Sequence, residues 1–81
     1  MSPQEWKKRS RVRIARCVQA AGRIRLRDLK RATNYNRGGE DSVGLWFDSF
    51  EELERAGVIR SEDEWPTYWI VWTGRPSSVP F

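Results

Sequence analysis

The side chains best suited to chemistry in this sequence are cations concentrated in its first half. Residues 1–37 contain 12 of the 15 Lys and Arg residues and have Glu5 and Asp28 as their only acids, so their formal charge is +10. Residues 38–81 carry nine acids against three arginines, a formal charge of −6. Such asymmetry between the two halves of a chain indicates a polyanionic partner or an oppositely charged protein surface.

The residue types needed for catalysis or metal binding are nearly missing. The sequence has no histidine and a single cysteine, Cys17. Zinc sites need several nitrogen or sulfur ligands, and a nucleophile needs an adjacent base. The acids are scattered over helix surfaces and form no catalytic dyad. We therefore expect neither an enzyme nor a bound metal or cofactor, and we predict that Cys17 is a small buried apolar residue.

The cysteine count and the hydrophobic pattern predict the cellular compartment. A lone cysteine cannot form an internal disulfide, so an oxidising compartment is not implied. No apolar run approaches the roughly 20 residues of a membrane span, and no hydrophobic signal segment follows the charged N-terminus. The sequence predicts an intracellular protein, cytoplasmic or nucleoid-associated, with no membrane partner.

Two helices and a short strand are predicted in the basic half. Ser2, Pro3 and Glu5 have the spacing of a capping box with proline at the first helical position, and Gly22 ends the helix. The pattern predicts this helix over 4–21, a short strand within 23–27 and a second helix over 27–33. The residues expected on the buried faces of the two helices are Trp6, Ser10, Ile14, Cys17, Ala21, Leu29 and Ala32. The polar, glycine-rich stretch that follows is predicted to be a loop.

The acidic half predicts a third helix and a hairpin. The helix is expected over 42–56, with Asp41 or Ser42 as its cap and Gly57 closing it. Its buried side is predicted from the helical period to contain Val43, Trp46, Phe47, Phe50 and Leu53. Hairpin strands are expected over 58–60 and 67–73, with "SEDEWP" turning between them. We predict that Trp46, Phe47, Phe50 and Leu53 pack against Ile14, Cys17 and Leu29.

The order of elements, together with "LRDLKRATN", "FEELERAGVIR" and "YWIVWTGRP", resembles the winged helix-turn-helix family. This resemblance implies an α+β, mainly helical fold, with three helices, a short strand and a C-terminal β-hairpin wing. It spans residues 1–75 and leaves 76–81 as an irregular tail. The "GRP" near the end is also similar to the C-terminal wing-type domains of mobile-element primase-helicase proteins. The family places its third helix in the major groove of DNA and its wing on the backbone.

This sequence departs from that family pattern in its charges. The exposed side of the third helix offers Asp48, Glu51 and Glu52, and the wing tip carries Glu62, Asp63 and Glu64, all of which would repel phosphates. The basic half offers the cations instead, with Arg13 and Arg16 also on helix 1. We predict that the protein binds nucleic acid, specifically DNA, and acts in replication or transcription control. The predicted binding surface consists of helix 1, the 23–27 strand and helix 2, which contact the phosphates. The predicted contacts are Lys7, Lys8, Arg11, Arg23, Arg25, Arg27, Lys30, Arg31 and Arg37.

An alternative assigns the function to the acidic half. The third helix and wing would dock onto a basic protein surface or onto the basic half of another copy, giving head-to-tail self-association. The residues of that interface would be Asp48, Glu51, Glu52, Trp65 and Trp69.

The tryptophans bear on both hypotheses. We expect Trp6, Trp46 and Trp72 in the core, because large aromatic residues supply much of a small domain's burial. For Trp65 and Trp69 we favour at least partial burial. The alternative for these two is an exposed wing position, where they would stack on unpaired bases or anchor a protein interface.

Overall fold

A computed structural model describes residues 2–33, 35 and 40–73, with the side chains of 40–42 excepted. These residues form three helices and an antiparallel three-stranded sheet, so the fold is α+β and mainly helical, as predicted. Arg37 and the predicted tail lie outside the described residues. The elements are α1 (Pro3–Ala21), β1 (Arg23–Arg25), α2 (Leu26–Ala32), α3 (Glu40–Arg55), β2 (Ile59–Glu64) and β3 (Thr67–Trp72).

Helix α1 begins and ends where the sequence predicts. The Ser2 hydroxyl accepts a hydrogen bond from the Glu5 amide at 3.2 Å, which satisfies one of the free amides of the first turn. Gly22 ends the helix with a φ of +73°, a conformation that glycine adopts at little cost. The amide of Gly22 donates to the Val18 carbonyl at 2.7 Å. The capping signals in the sequence are therefore sufficient to bound this helix.

The buried face of α1 differs in part from the prediction. Ser10 and Ile14 are buried as expected, together with Ala15 and Val18, which were not predicted. Ala21 is exposed, so its predicted burial is wrong. Trp6 and Cys17 are only half-buried. The reason is that α1 packs against α3 on one side and against β3 on the other, which widens the covered stripe toward Ala15.

Hydrogen bonds and aromatic packing fix the junction of α2 with α3. The Trp46 indole Nε1 donates to Thr33 Oγ1 at 2.8 Å, and the Thr33 hydroxyl donates to the Leu29 carbonyl at 2.7 Å. Trp46 also stacks on Phe50, with ring centroids 5.5 Å apart. Thr33 is buried whereas Ala32 is exposed, so the predicted burial of Ala32 is wrong. Burial of the threonine is tolerated because its hydroxyl has a hydrogen-bond partner on each of the two helices.

Helix α3 contradicts two predictions. It begins at Glu40, so Asp41 and Ser42 lie within the helix and do not precede it as caps. Phe47 is 38% exposed and does not belong to the core. It follows Trp46 around the helix and meets that ring edge-on at 5.1 Å, at the margin of the buried side. The small residue Ser49 occupies a fully buried position on the same helix.

The sheet has the order β1-β3-β2, and both pairs of strands are antiparallel. Strand β2 extends to Glu64, which pairs with Thr67, so only Trp65 and the cis-linked Pro66 turn the chain. The prediction of a strand limited to 58–60 and a six-residue turn is therefore wrong. The polar residues of 61–64 suit an edge strand, where charged side chains protect the open side of the sheet.

The hydrophobic core lies between the helices and the inner face of the sheet. Of the predicted contacts, Trp46, Phe50 and Leu53 are buried in one cluster with Ile14 and Leu29. The other members of that cluster are Ala15, Val18, Val58, Ile59 and Ile70. Trp72 packs against it only partly buried. Within the described residues, none of the helices has the length and apolar character needed to cross a membrane.

Candidate nucleic-acid interface

Glu52 of α3 binds two of the predicted contact residues from α1. Its Oε1 lies 3.1 Å from Lys7 Nζ, and its Oε2 accepts a hydrogen bond from Arg11 Nη1. The Ser49 hydroxyl, one turn earlier, lies 3.1 Å from the Lys7 carbonyl and holds the helices in register. Burial opposes ionisation of Glu52, but the hydrogen bonds and charges of Lys7 and Arg11 outweigh it and lower the pKa of Glu52. These two cations therefore already have an anionic partner.

A second internal pairing covers the outer face of the sheet. Arg23 lies 3.8 Å from Glu62 and 3.1 Å from Glu64. Its guanidinium also sits above the Trp69 ring, 4.0 Å from the centroid, which is a favourable cation–π arrangement. Trp69 is half-buried, and its predicted partial burial is confirmed. Glu62 and Glu64 thus share one cation of the basic half, whereas Asp63 has no ion pair among the described residues.

The remaining ion pairs are longer or more exposed. Arg25 lies 4.0 Å from Asp28, Arg55 lies 3.9 Å from Glu51, and Arg60 lies 3.1 Å from Glu62. Exposed pairs of this kind contribute little to stability, and their cations exchange partners readily. Arg25 therefore stays accessible to another anion.

Two groups of cations have no carboxylate within ion-pair distance among the described residues. The first, called here the α1 stripe, lines one shallow groove along the outer face of the helix together with Glu5 and Val12. The second, the α2 cluster, lies on α2, where its two arginines are exposed and its lysine is half-buried. The α1 stripe consists of Lys8, Arg9, Arg13 and Arg16, and the α2 cluster of Arg27, Lys30 and Arg31.

A further groove, called here the tip groove, separates the start of α2 from the hairpin turn. The side of the groove formed by β1 and α2 presents Arg25, Arg27 and Lys30, and the hairpin side presents Tyr68. Leu26, Pro66 and Thr67 complete the lining. The Lys30 ammonium also lies 5.0 Å from the centre of the Phe47 ring. This groove combines positive charge with an aromatic surface.

Trp65 contradicts its expected partial burial. It is 85% exposed in the two-residue turn, and Tyr68 nearby is 53% exposed. Strand pairing continues to Glu64 and Thr67, so Trp65 lies in the turn itself, at the far end of the hairpin. The structure thus favours the alternative position for Trp65.

The structure places the residues predicted to contact nucleic acid in different surroundings. It brings Arg25, Arg27 and Lys30 together at the tip groove and pairs Lys7, Arg11 and Arg23 with acids. Lys8 and Arg31 remain without an ion-pair partner among the described residues, and Arg37 lies outside them. Sequence reasoning left Arg9, Arg13 and Arg16 of helix 1 out of the site, and Tyr68 as well.

Signals for the missed residues differ. The helical period alone puts Arg9, Arg13 and Arg16 opposite the apolar side of α1, so a helical wheel is enough to include them. Tyr68 gives no such signal, because its exposure depends on where the hairpin turns.

The residues predicted for a protein interface also differ in whether they already have partners within the chain. Glu52 is engaged with α1, and Glu51 faces Arg55. Asp48 is exposed, with no ion pair to any described residue. Trp65 is exposed and Trp69 lies under Arg23.

The described residues hold no grouping of three or more His, Cys, Asp or Glu side chains that would bind a metal ion. Cys17 is half-buried, and burial raises the pKa of its thiol.

Comparisons with known proteins found no match. No family model, no curated protein and no solved structure matches this chain.

Proposed function

We propose that the chain is a winged helix-turn-helix domain that binds nucleic acid by contacting phosphates with the α1 stripe and the α2 cluster. The order of three helices followed by a β2–β3 hairpin supports this assignment, with the hairpin as the wing. The short β1, which lies between α1 and α2 in the chain, pairs with β3 and so attaches these two helices to the wing. Contacts of this kind position a protein on nucleic acid without selecting a sequence.

The pattern of internal ion pairs carries the proposal. The acids Glu52, Glu62 and Glu64 are paired with cations of the basic half, whereas Asp48, Glu54 and Asp63 have no ion pair among the described residues. The α1 stripe and the α2 cluster are left in solvent without carboxylates within ion-pair distance among the described residues, and like charges at short range repel one another. A polyanion relieves that repulsion and gains the entropy of its released counterions.

Helix α3 is a poor candidate for the groove-binding helix. Asp48, Glu51 and Glu54 are all exposed on it, and Arg55 is the only exposed cation of its described side chains. Phosphates on either side of a groove would be repelled by those carboxylates. The proposal therefore moves the contact away from the helix that this family ordinarily uses.

The same ion pairs count against head-to-tail self-association. That contact would need the acids of α3 and of the wing to meet the basic half of another copy. Glu52, Glu62 and Glu64 already meet cations of their own chain, and an intermolecular partner would have to displace those. Among the described side chains of α3 and the wing, the acids left without an ion pair are Asp48, Glu54 and Asp63, which are divided between α3 and β2.

A charge-matched pair of variants tests the proposal. Arg27→Ala with Arg31→Ala removes two cations that have no ion pair among the described residues, whereas Arg55→Ala with Arg60→Ala removes two paired ones, so net charge falls equally. Lys30 is left intact because it contacts Tyr35 and Phe47. Affinity for a labelled random-sequence DNA is measured by fluorescence anisotropy across a range of salt concentrations.

The first variant should bind more weakly, and its plot of log K against log salt should be shallower by about 0.9 for each duplex phosphate that the variant no longer neutralises. The second should bind nearly as the parent does. Equal weakening in both variants would mean that only net charge matters and would overturn the assignment of the α2 cluster.

A further inference from the structure

The hairpin tip exposes two large aromatic side chains. Trp65 is 85% exposed in the turn, and Tyr68 is 53% exposed three residues later. They are the two most exposed large hydrophobic side chains of the described residues. Exposed aromatic residues of this size commonly mark a contact surface, since their flat faces are removed from water when another flat group covers them.

The residues around Tyr68 identify the kind of group that would cover its ring. Tyr68 lines the tip groove opposite Arg25, Arg27 and Lys30. Pro66 and Thr67 also line the groove, which therefore combines cations of β1 and α2 with an aromatic residue of the hairpin. A chain that alternates flat apolar groups with negative charges fits both features at once.

We propose that the tip groove binds an unpaired nucleic-acid strand, with bases stacked on Tyr68 and Trp65 and phosphates against Arg25 and Arg27. The inference rests on the proposed function and adds the class of nucleic acid. Single-strand-binding surfaces combine a positive groove with aromatic stacking platforms in this way, and every base offers a face on which to stack.

A duplex would use these features less well. The faces of its bases are covered by neighbouring base pairs, so Trp65 and Tyr68 would gain nothing from stacking. Arg27 and the rest of the α2 cluster would still contact duplex phosphates. The aromatic residues therefore predict a preference for the single strand, whereas the cations alone predict none.

One carboxylate would repel the phosphates of the bound strand. Asp63 pairs with Tyr68 across the hairpin, so both side chains project from the same face of the sheet. Its charge is exposed, and no described residue forms an ion pair with it. Glu62 and Glu64 project from the other face, where Arg23 binds them. Removal of the Asp63 charge should therefore strengthen single-strand binding.

The test compares two labelled probes by fluorescence anisotropy. One is an oligothymidylate of about 15 nucleotides, near the upper end of the site sizes of single-strand-binding folds, and the other is a duplex of equal length. The variants are Trp65→Ala, Tyr68→Ala, Trp65→Phe and Asp63→Asn. Far-UV circular dichroism and thermal melting confirm that each variant folds, which we expect because these side chains are exposed.

The parent should bind oligothymidylate more tightly than duplex. Each alanine variant should bind the single strand about tenfold more weakly, as expected when one base no longer stacks, with little change for duplex. Trp65→Phe should recover part of the affinity because it keeps an aromatic face, and Asp63→Asn should bind the single strand more tightly.

Other results would overturn the inference. If the parent binds both probes equally and the alanine variants change neither affinity, the aromatic residues do not contact bases, although the proposed function would stand. If neither probe binds at low salt, the proposed function fails together with this inference. Weaker binding to both probes in Arg27→Ala with Arg31→Ala, but not in the aromatic variants, would confine the contact to phosphates.

Discussion

Glu52 is the residue at which the basic and acidic halves of the chain meet. It binds Lys7 and Arg11 across the α1–α3 contact, and Arg11 is mostly buried there. Their hydrogen bonds and charges lower the pKa of Glu52 below its ordinary value of 4.5, in spite of the opposing effect of burial. A carboxyl whose pKa is lowered on folding stabilises the protein above its unfolded pKa. That contribution disappears as the pH falls through the folded value.

Glu52→Gln should therefore remove part of the acid sensitivity of folding. We expect the variant to be less stable by roughly 1–2 kcal/mol near neutral pH, since hydrogen bonds between charged groups contribute about 1.5–3 and partial exposure reduces this. Urea unfolding from about pH 3 to pH 7 measures the effect. The difference between parent and variant should shrink as the pH falls below about 4.5.

Glu51→Gln is the matched control on the same helix. The Glu51–Arg55 pair is exposed and 3.9 Å long, so its removal should change the stability by well under about 1 kcal/mol at any pH. An equal effect in both variants would show that the α1–α3 ion pairs stabilise no more than a surface pair does.

At the residue scale, the sequence predicts the charges but not their partners. Glu52 is 45 residues from Lys7, and Glu64 is 41 from Arg23. Which acid meets which cation depends on how α3 lies on α1 and on where the hairpin turns, and local periodicity determines neither. The acids of the third helix and wing are therefore predicted to be free, although the fold pairs several of them.

At the scale of elements, an aromatic cluster joins α3 to the end of α2. Phe50 is buried and stacks on Trp46, whose indole hydrogen-bonds to Thr33 at the end of α2. Phe47 lies beside them with 38% of its surface exposed. The two phenylalanines thus make different contributions although both lie on the apolar side of the helix.

Phe50→Ala should cost about 3–5 kcal/mol, because it leaves a cavity against Trp46. That is much of the stability of a domain of this size. Phe47→Ala should cost about 1 kcal/mol, as expected of a partly exposed side chain. Thermal melting of both variants checks this. Similar melting temperatures for the two would contradict the difference in burial.

The exposed acids of α3 yield a second prediction at this scale. Asp48→Ala with Glu51→Ala should leave DNA affinity unchanged or raise it, because a repulsive field is removed. Glu52 is left in place so that Lys7 and Arg11 keep their partner. The affinity is measured with the same random-sequence duplex. A decrease in affinity would indicate that α3 contacts the DNA groove after all.

The elements themselves are largely predictable. Caps and glycines bound α1 and close α3, and the hydrophobic period selects Trp46, Phe50 and Leu53 for the core. The prediction is wrong where long-range pairing overrides local pattern. Residues 61–64 look like a turn but form an edge strand, because Glu64 pairs with Thr67. That extension also exposes Trp65, which no local signal indicates.

At the scale of the whole molecule, folding redistributes the charge asymmetry of the chain. Cations and acids from opposite halves pair between α1 and α3 and across the sheet. The surplus remains on the outer face of α1 and around α2, next to the aromatic hairpin tip. We propose that this surplus binds nucleic-acid phosphates.

A salt titration of nucleic-acid binding, with the protein mass measured in the same buffer, tests that claim most directly. We predict that a monomeric protein binds at low salt and that log K falls linearly with log salt, with a slope of about 0.7–0.9 for each phosphate contacted. A protein that self-associates at low salt and binds neither single strand nor duplex would contradict the claim and assign the charged surfaces to assembly.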